Sequence, residues 1–417
     1  MAISHRQFLM SGGIFIVLNF VSNIFELGVN GIMARLPEGE YGIYGALFKI
    51  FFILTTPLAA LQLVVSKEVS ALSALGRYGE AKNFVILSLR YVIFAGVAIT
   101  LIGLFASPLI ADFLKIRSIL PVIFLMLIIG FYSLIPVLYG AIHGLHKFIT
   151  LGFVSIFWGA SRFTMAFLFI IVLASGLNGV MAAVVAAVIL TVIIAYFPVR
   201  SLFHYSENTI GSAELKRAFT FFFPIVITLI LISFFRSMDM VFARRFFSPD
   251  AANAYACAAF VGSAFFTLSG ISMVMFPIVS KEKTLMRNPI PFLFRSAAVV
   301  AGLSGIGIVI AWLFPGLVMI ISTQGKIIPG AEPLIRIVGL AVLPISLVYI
   351  IANYFLAQHI AGFIPMLGGG CILLFTFILL FHSDPLHLLY SVGASNFLTL
   401  CGMFIYLFRH NKPVPAP

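Results

Sequence analysis

The sequence predicts an all-α polytopic membrane protein. About twelve transmembrane helices are expected in two pseudo-symmetric lobes, residues 1–205 and 206–417, around a central cavity. Three observations carry this expectation. The first is composition: of 417 residues, 62% are hydrophobic and 9% charged. A chain of this length could not hide so much apolar surface from water, whereas a bilayer removes the need to. Second, apolar runs of about 20 residues, the length that crosses a hydrocarbon core, recur throughout. Third, the chain repeats itself. Val65-Ser66-Lys67-Glu68 returns as Val279-Ser280-Lys281-Glu282. Ala34-Arg35 precedes a short polar loop ending at Tyr41, as Ala243-Arg244 precedes one ending at Tyr255, and Arg200 and Arg409 close the two halves. These landmarks in one register favour duplication over chance. Duplicated halves in a membrane chain usually enclose a pathway between lobes that rock against each other.

The candidate spans fall at 8–33, 42–65, 84–106, 120–142, 148–173, 179–199, 218–242, 254–278, 291–314, 334–356, 361–382 and 386–408. The first is too long for a signal-peptide core and has no small-residue cleavage pattern, so it is expected to be a permanent span. The breaks carry turn chemistry: Leu36-Pro37-Glu38-Gly39-Glu40, Ser107-Pro108, Ser175-Gly176-Leu177-Asn178, Ser248-Pro249-Asp250 and Ser383-Asp384-Pro385. Pro57, Pro136, Pro224 and Pro344 are expected to bend their helices, since each removes a backbone donor. Gly368-Gly369-Gly370 allows close helix approach or local unwinding.

Lys and Arg set the orientation. A cytoplasmic N-terminus places Arg6, Lys67, Arg77, Lys82, Arg90, Lys147, Arg200, Lys216, Arg217, Lys281, Lys283, Arg287, Arg409 and Lys412 inside. Arg35, Lys115, Arg117, Arg244, Arg245 and Lys326 then lie outside. The asymmetry, roughly two to one, puts both termini in the cytoplasm. Arg244-Arg245 violates the rule; the pair either lines an outer vestibule or holds its helix end at the headgroups. The loops are too short to house a catalytic domain. The longest cytoplasmic ones, 66–83 and 200–217, read as amphipathic connectors, and the second would link the lobes.

Ionisable and amide groups inside spans are the sharpest functional signal. A charge at mid-bilayer costs ~2.5–3.5 kcal/mol on insertion scales, so such groups must face protein or water. Asn19, Asn23, Glu26 and Asn30 share one stripe of the first span. They form either a cavity wall with one carboxylate or a set of interhelical hydrogen bonds. Lys49 lies in the second span and Arg162 in the fifth, each without an acidic partner on its own helix. Either Glu26 answers one of them, or they await an anion. Arg236 and Asp239 stand three apart in the seventh span, within reach of each other. They are either a local pair or a cation facing cargo beside a titrating acid. Glu26 and Asp239 are the candidates for ion coupling. Ser346, Tyr349 and Asn353, then Ser391, Ser395 and Thr399, and Tyr132, Tyr139 and His143, form softer polar faces that read as packing.

Several classes are excluded by pattern. Cys257, Cys371 and Cys401 are scattered among apolar segments, with no CxxC or Cys/His spacing for zinc or a disulfide framework. No GxxxxGK[ST], HExxH or GxSxG occurs, and no metal, cofactor or catalytic group is expected. The net charge of +12 is dispersed in short loops and spans rather than in a nucleic-acid-binding arm. It suits anionic lipid at the cytoplasmic face and an anionic cargo.

Ala34-Arg35-Leu36-Pro37-Glu38-Gly39-Glu40-Tyr41-Gly42-Ile43-Tyr44 resembles the R-L-G-P-E-x-Y-G-x-Y loop of the Wzx-like polysaccharide-export flippases. These are a branch of the multidrug/oligosaccharidyl-lipid/polysaccharide (MOP) exporter superfamily. Here Pro37 is present and the Gly before it is missing. Gly76-Arg77-Tyr78-Gly79-Glu80-Ala81 is similar to that branch's loop between spans two and three. Asp239 with Ser248-Pro249-Asp250 and Tyr255 resembles the opening of its second lobe. The resemblance implies a MATE-like architecture and alternating-access export of a glycan linked to a polyprenyl pyrophosphate across the cytoplasmic membrane. With no ATPase motif in the chain, the energy is expected from an ion gradient such as H+ or Na+, from the membrane potential or from the cargo's own gradient, and glycan polymerase or glycosyltransferase partners are expected beside such an exporter. A cationic cavity is implied too, to which Lys49, Arg162 and Arg236 correspond in kind. A cation-coupled drug or metabolite exporter of the same superfamily is the alternative within transport. A membrane polysaccharide polymerase or ligase is the alternative outside it, and would need a sizeable external loop.

Overall fold

The computed structural model describes Leu18 and residues 21–22, 24–37, 39–206, 212–284 and 287–410; over 212–221 and at a few positions in 273–284 only the backbone is described. All regular structure among these residues is helical. Inside a bilayer nothing else satisfies the backbone polar groups of a spanning segment short of a closed barrel. The helices are α1 (Ile24–Met33), α2 (Glu40–Ala74), α3 (Tyr78–Phe113), α4 (Leu120–Tyr132), α5 (Leu134–Gly144), α6 (Phe148–Phe167) and α7 (Gly176–Val199). They continue as α8 (Ser212–Phe246), α9 (Pro249–Thr267), α10 (Ser272–Thr284), α11 (Ile290–Leu313), α12 (Pro315–Thr323), α13 (Ala331–Ala357), α14 (Ile364–Leu380) and α15 (Pro385–His410). Ten described helical stretches are long and apolar enough to cross a membrane, while Ile24–Met33 and Ile364–Leu380 are shorter apolar helices. Their outward faces are those of a bilayer protein: Phe105 is 87% and Phe94 78% exposed on α3.

The chain divides into two compact units, Met1–Val226 and Ile227–Pro417, and the division falls within α8. In the first, α2 packs on α5, α3 on α4, α4 on α7 and α6 on α7. In the second, α9 and α10 pack on α13, α11 on α13, α13 on α15 and α14 on α15. The second unit thus repeats the pairings of the first, with α9 and α10 in the part of α2 and α13 in that of α4 and α5.

The duplicated Val-Ser-Lys-Glu segment joins this scheme. In the first unit Ser66 Oγ lies 2.5 Å from His143 Nδ1 and Ser70 Oγ 3.1 Å from His146 Nε2, tying α2 to the end of α5. In the second, Lys283 Nζ donates to the Gln358 carbonyl at 2.6 Å, tying α10 to the end of α13. His146 and His359 occupy matching left-handed positions, φ 57 and φ 60, just past those helix ends. There the reversed backbone lets the last carbonyls find donors: Lys147 N donates to Ile142 O, and Ile360 N to Phe355 O.

Where helices meet closely, glycine allows it. On α5, Gly140 and Gly144 face Val65 and Val69 of α2, the small-xxx-small arrangement by which helices approach without a hydrophobic driving force. The predicted fourth span is split at Ser133, because Pro136 has no N–H for the Tyr132 carbonyl and its ring crowds it. Pro57, Pro224 and Pro344 lie inside continuous helices instead. Of the two readings of the triple glycine, Gly370 is a close approach to Thr399 and Phe235, and α14 runs through it unbroken. Arg244 is buried and Arg245 exposed, so only the second is placed to reach headgroups.

The loop after α1 is built from its unusual residues. Gly39 takes φ 82, a left-handed turn that costs little without a Cβ, and delivers Glu40 to the start of α7. There Glu40 Oε2 accepts from Leu177 N at 2.7 Å. Asp384 caps α15 likewise, accepting from Leu386 N at 2.8 Å and His387 N at 2.9 Å. The His387 backbone N–H, then that ring, hold the Asp384 carboxyl below the usual carboxylate range. The folded state therefore binds this proton less readily than the unfolded state. The stabilisation is fully present above about pH 4 and disappears as pH falls through the depressed value. Asp384→Ala is expected to lower stability by ~0.5–1 kcal/mol at neutral pH and by less under acid conditions. Unfolding midpoints of the two proteins across pH check this.

Candidate functional site

The first unit brings Glu26, Tyr44, Phe48 and Trp158 around Arg162. Arg162, on α6, is 3% exposed. Its Nη1 donates to Glu26 Oε1 of α1 in an ion pair, and its Nη2 donates to the Tyr44 hydroxyl of α2 at 3.2 Å. The guanidinium carbon lies 4.8 Å from the centroid of Phe48 and 5.2 Å from that of Trp158. Tyr132 of α4 extends this aromatic surround, 4.9 Å from Phe51 and 6.1 Å from Trp158 between ring centroids. Arginine suits such a place, since its flat, weakly hydrated cation stacks on rings while its edge donates. Among the described residues Arg162 Nε is buried with no hydrogen-bond partner. One carboxylate therefore answers the charge, and its side chain is one-third exposed.

Of the two roles open to Arg162 in the sequence, the structure shows the pair with Glu26. Asn30, one turn on, is 6% exposed and accepts from the Tyr41 hydroxyl at 3.0 Å, a contact between α1 and α2. Asn19 and Asn23 lie outside the described residues. Lys49 follows Phe48 on α2 and is half-buried. Its side chain leaves the helix about 100° round from the face that meets Arg162.

Arg236 and Asp239 belong to the second unit. The Arg236 guanidinium lies 3.9 Å from the ring centroid of Phe266, and Phe266 lies 5.3 Å from Tyr349. Asp239 Oδ2 accepts from the Tyr255 hydroxyl at 3.1 Å. This reproduces Tyr41 on Asn30: Asn30 stands four residues before Ala34-Arg35, and Asp239 four before Ala243-Arg244. The two halves thus build one tyrosine-to-polar contact, with an amide in the first and a carboxyl in the second. Only the second can change charge.

Serine and threonine members of the softer polar faces bond within their own helices, whereas Tyr132 and Tyr349 join the aromatic contacts near Arg162 and Arg236. Ser346 donates to the Val342 carbonyl and Thr399 to Ser395, while Asn396 joins α15 to Ala341 of α13. Sequence reasoning missed the aromatic surround of Arg162. Its signal was available, since Trp158 precedes Arg162 by one turn and Tyr41, Tyr44 and Phe48 share one face of α2.

The fold and these intramembrane charges define a multi-pass helical membrane protein of MATE-like architecture. Among the solved structures similar to the chain are the following three. One is an inward-facing multidrug resistance MATE family transporter of the MOP superfamily, 12% identical, with a TM-score of 0.74 over 95% of this chain and 97% of that one. Another is the lipid II flippase MurJ in an inward closed conformation, 12% identical, with a TM-score of 0.69 over 94% and 87% of the two chains. The third is a MOP superfamily transporter from Pyrococcus furiosus described by the reverse polarity of its binding pocket, 14% identical, with a TM-score of 0.67 over 97% and 95%. No family profile matches the sequence, and no curated protein does.

Proposed function

We propose that this chain moves a lipid-linked oligosaccharide or polysaccharide precursor, carried on a polyprenyl pyrophosphate, across the cytoplasmic membrane. It does so by alternating access between its halves, with both termini cytoplasmic and no enzymatic step of its own. The observation that carries this reading is Arg162, a deep cation answered by one partly exposed carboxylate. An arriving pyrophosphate competes with Glu26 for that guanidinium, and Lys49 compensates the remaining phosphate charge within the same unit; Arg236 is the corresponding deep cation of the second unit. Glu26 is one group through which H+ or Na+ couples to the return of the empty carrier. Asp239, the ionisable member of the duplicated tyrosine contact, is the second group through which H+ or Na+ couples to the return of the empty carrier.

A second reading rests on the same site. With its charge paired and rings on two sides, Arg162 lies in surroundings suited to a flat organic cation, as in a multidrug exporter. Proteoliposomes separate the two. We expect flipping of a fluorescent pyrophosphate-linked lipid, falling at least about tenfold when Lys49, Arg162 and Arg236 are all replaced by Gln, the equivalent of one lost charged contact of ~1.4 kcal/mol or more. Export of a cationic dye that survives the triple variant would instead establish the second reading.

A further inference from the structure

We propose that the first unit carries a binding site for an anionic phospholipid in the groove between α6 and α7, with the lipid phosphate at Lys147 and Arg200. The groove has a volume of about 890 Å³, within the range of ligand pockets. Its walls are Phe153, Phe157 and Ile194, with Phe197 and Lys147 toward one end. Phe153 is 60% and Phe197 50% exposed, so the apolar wall opens outward, where acyl chains run.

The chemistry of the two ends differs. Lys147 Nζ donates to the Pro198 carbonyl at 2.7 Å and to Ser201 Oγ at 3.3 Å. Those bonds hold the ammonium at the mouth of the groove and use two of its three N–H groups. Arg200 lies with its guanidinium carbon 5.6 Å from the ring centroid of Phe197, which lines the groove. Among the described residues neither cation pairs with a carboxylate. Lys82 joins them at this end of the unit, donating to the Tyr205 carbonyl at 2.9 Å, while Glu80 is already engaged by Arg77. Capping the end of α7 explains the position of Lys147. It does not explain an adjoining apolar groove of this size with a second cation stacked on one of its lining rings. A headgroup phosphate bonded to cations at the interface, with its chain along an aromatic wall, satisfies both ends at once. Basic residues at this end are the ones that orientation by charge places in the cytoplasm, beside the anionic leaflet.

The test is binding, independent of transport. The full chain in detergent is titrated with phosphatidylglycerol, phosphatidylethanolamine or inorganic phosphate, and read by native mass spectrometry and thermal midpoint. Phosphatidylglycerol is expected to remain bound and raise the midpoint, and the other two to do neither. Lys147→Gln with Arg200→Gln should weaken retention at least about tenfold, whereas Lys147→Arg should keep it. Should the double variant fail to fold, Ala160→Phe decides, because it fills the apolar wall without touching a charge and should expel the lipid. Equal retention of phosphatidylethanolamine, or undiminished phosphatidylglycerol in the Gln or Phe variants, overturns the proposal. So does a change of oligomeric mass in Ala160→Phe, which would assign the groove to a second copy of the chain.

Discussion

Glu26→Gln is expected to destabilise the protein by about 3–5 kcal/mol, the cost of leaving a buried cation without its countercharge. Arg162 is 3% exposed, with aromatic rings on two sides. The Tyr44 hydroxyl that would remain is a neutral acceptor. The reverse change costs less, because Glu26 is one-third exposed and can be hydrated. Arg162→Gln should therefore be the milder of the single variants. The double variant should be more stable than Glu26→Gln alone, since removing both charges removes the desolvation that each imposes. Unfolding midpoints of the four proteins in one detergent close this cycle. Additive effects would mean that the pair carries no coupling energy, and the proposed exchange of Glu26 for a cargo phosphate would lose its basis.

Gly144→Val should disrupt the contact between α2 and α5. A Cβ at this position would lie 2.7 Å from the Cβ of Val69 and 2.8 Å from the Ser66 carbonyl oxygen. The second atom is backbone, so no rotamer change relieves the clash and the helices must part. Overpacking of this kind costs about 1–3 kcal/mol or more. In a bilayer, close packing is a large share of what holds helices together. The same displacement breaks the nearby serine-to-histidine contacts, so hydrogen exchange at the end of α5 should rise as the midpoint falls. Gly368→Ala is the control. Nothing lies within 4 Å of a Cβ there, so it should stay within about 0.5 kcal/mol of the parent or gain slightly from helix propensity. An equal loss in both variants would trace the effect to glycine in general rather than to this interface.

The candidate site was legible in part. Depth in an apolar segment singled out Glu26, Lys49, Arg162, Arg236 and Asp239, because a charge among twenty lipid-loving neighbours is conspicuous in one dimension. What each charge meets was not. Glu26 and Arg162 are 136 positions apart, and no helical period relates them. Asn30 and Asp239 could be matched by register alone, yet their shared contact with tyrosine became visible only in three dimensions. The loop residues of the resembled motif proved architectural: Glu40 caps α7, Gly39 makes the turn, and Tyr41 ties α2 to α1.

By itself the sequence determined the class of this protein and the approximate limits of many of its helices; the run predicted at 148–173, for instance, appears as the helical stretch Phe148–Val172. Hydrocarbon thickness and backbone satisfaction act locally, so each span answers to its own residues. Tertiary structure alone decided which carboxylate meets Arg162, which glycines admit a neighbouring helix, and where a basic rim adjoins an apolar groove. Those outcomes depend on side chains from separate helices meeting at a few ångströms, a distance that the order of residues along one helix does not specify.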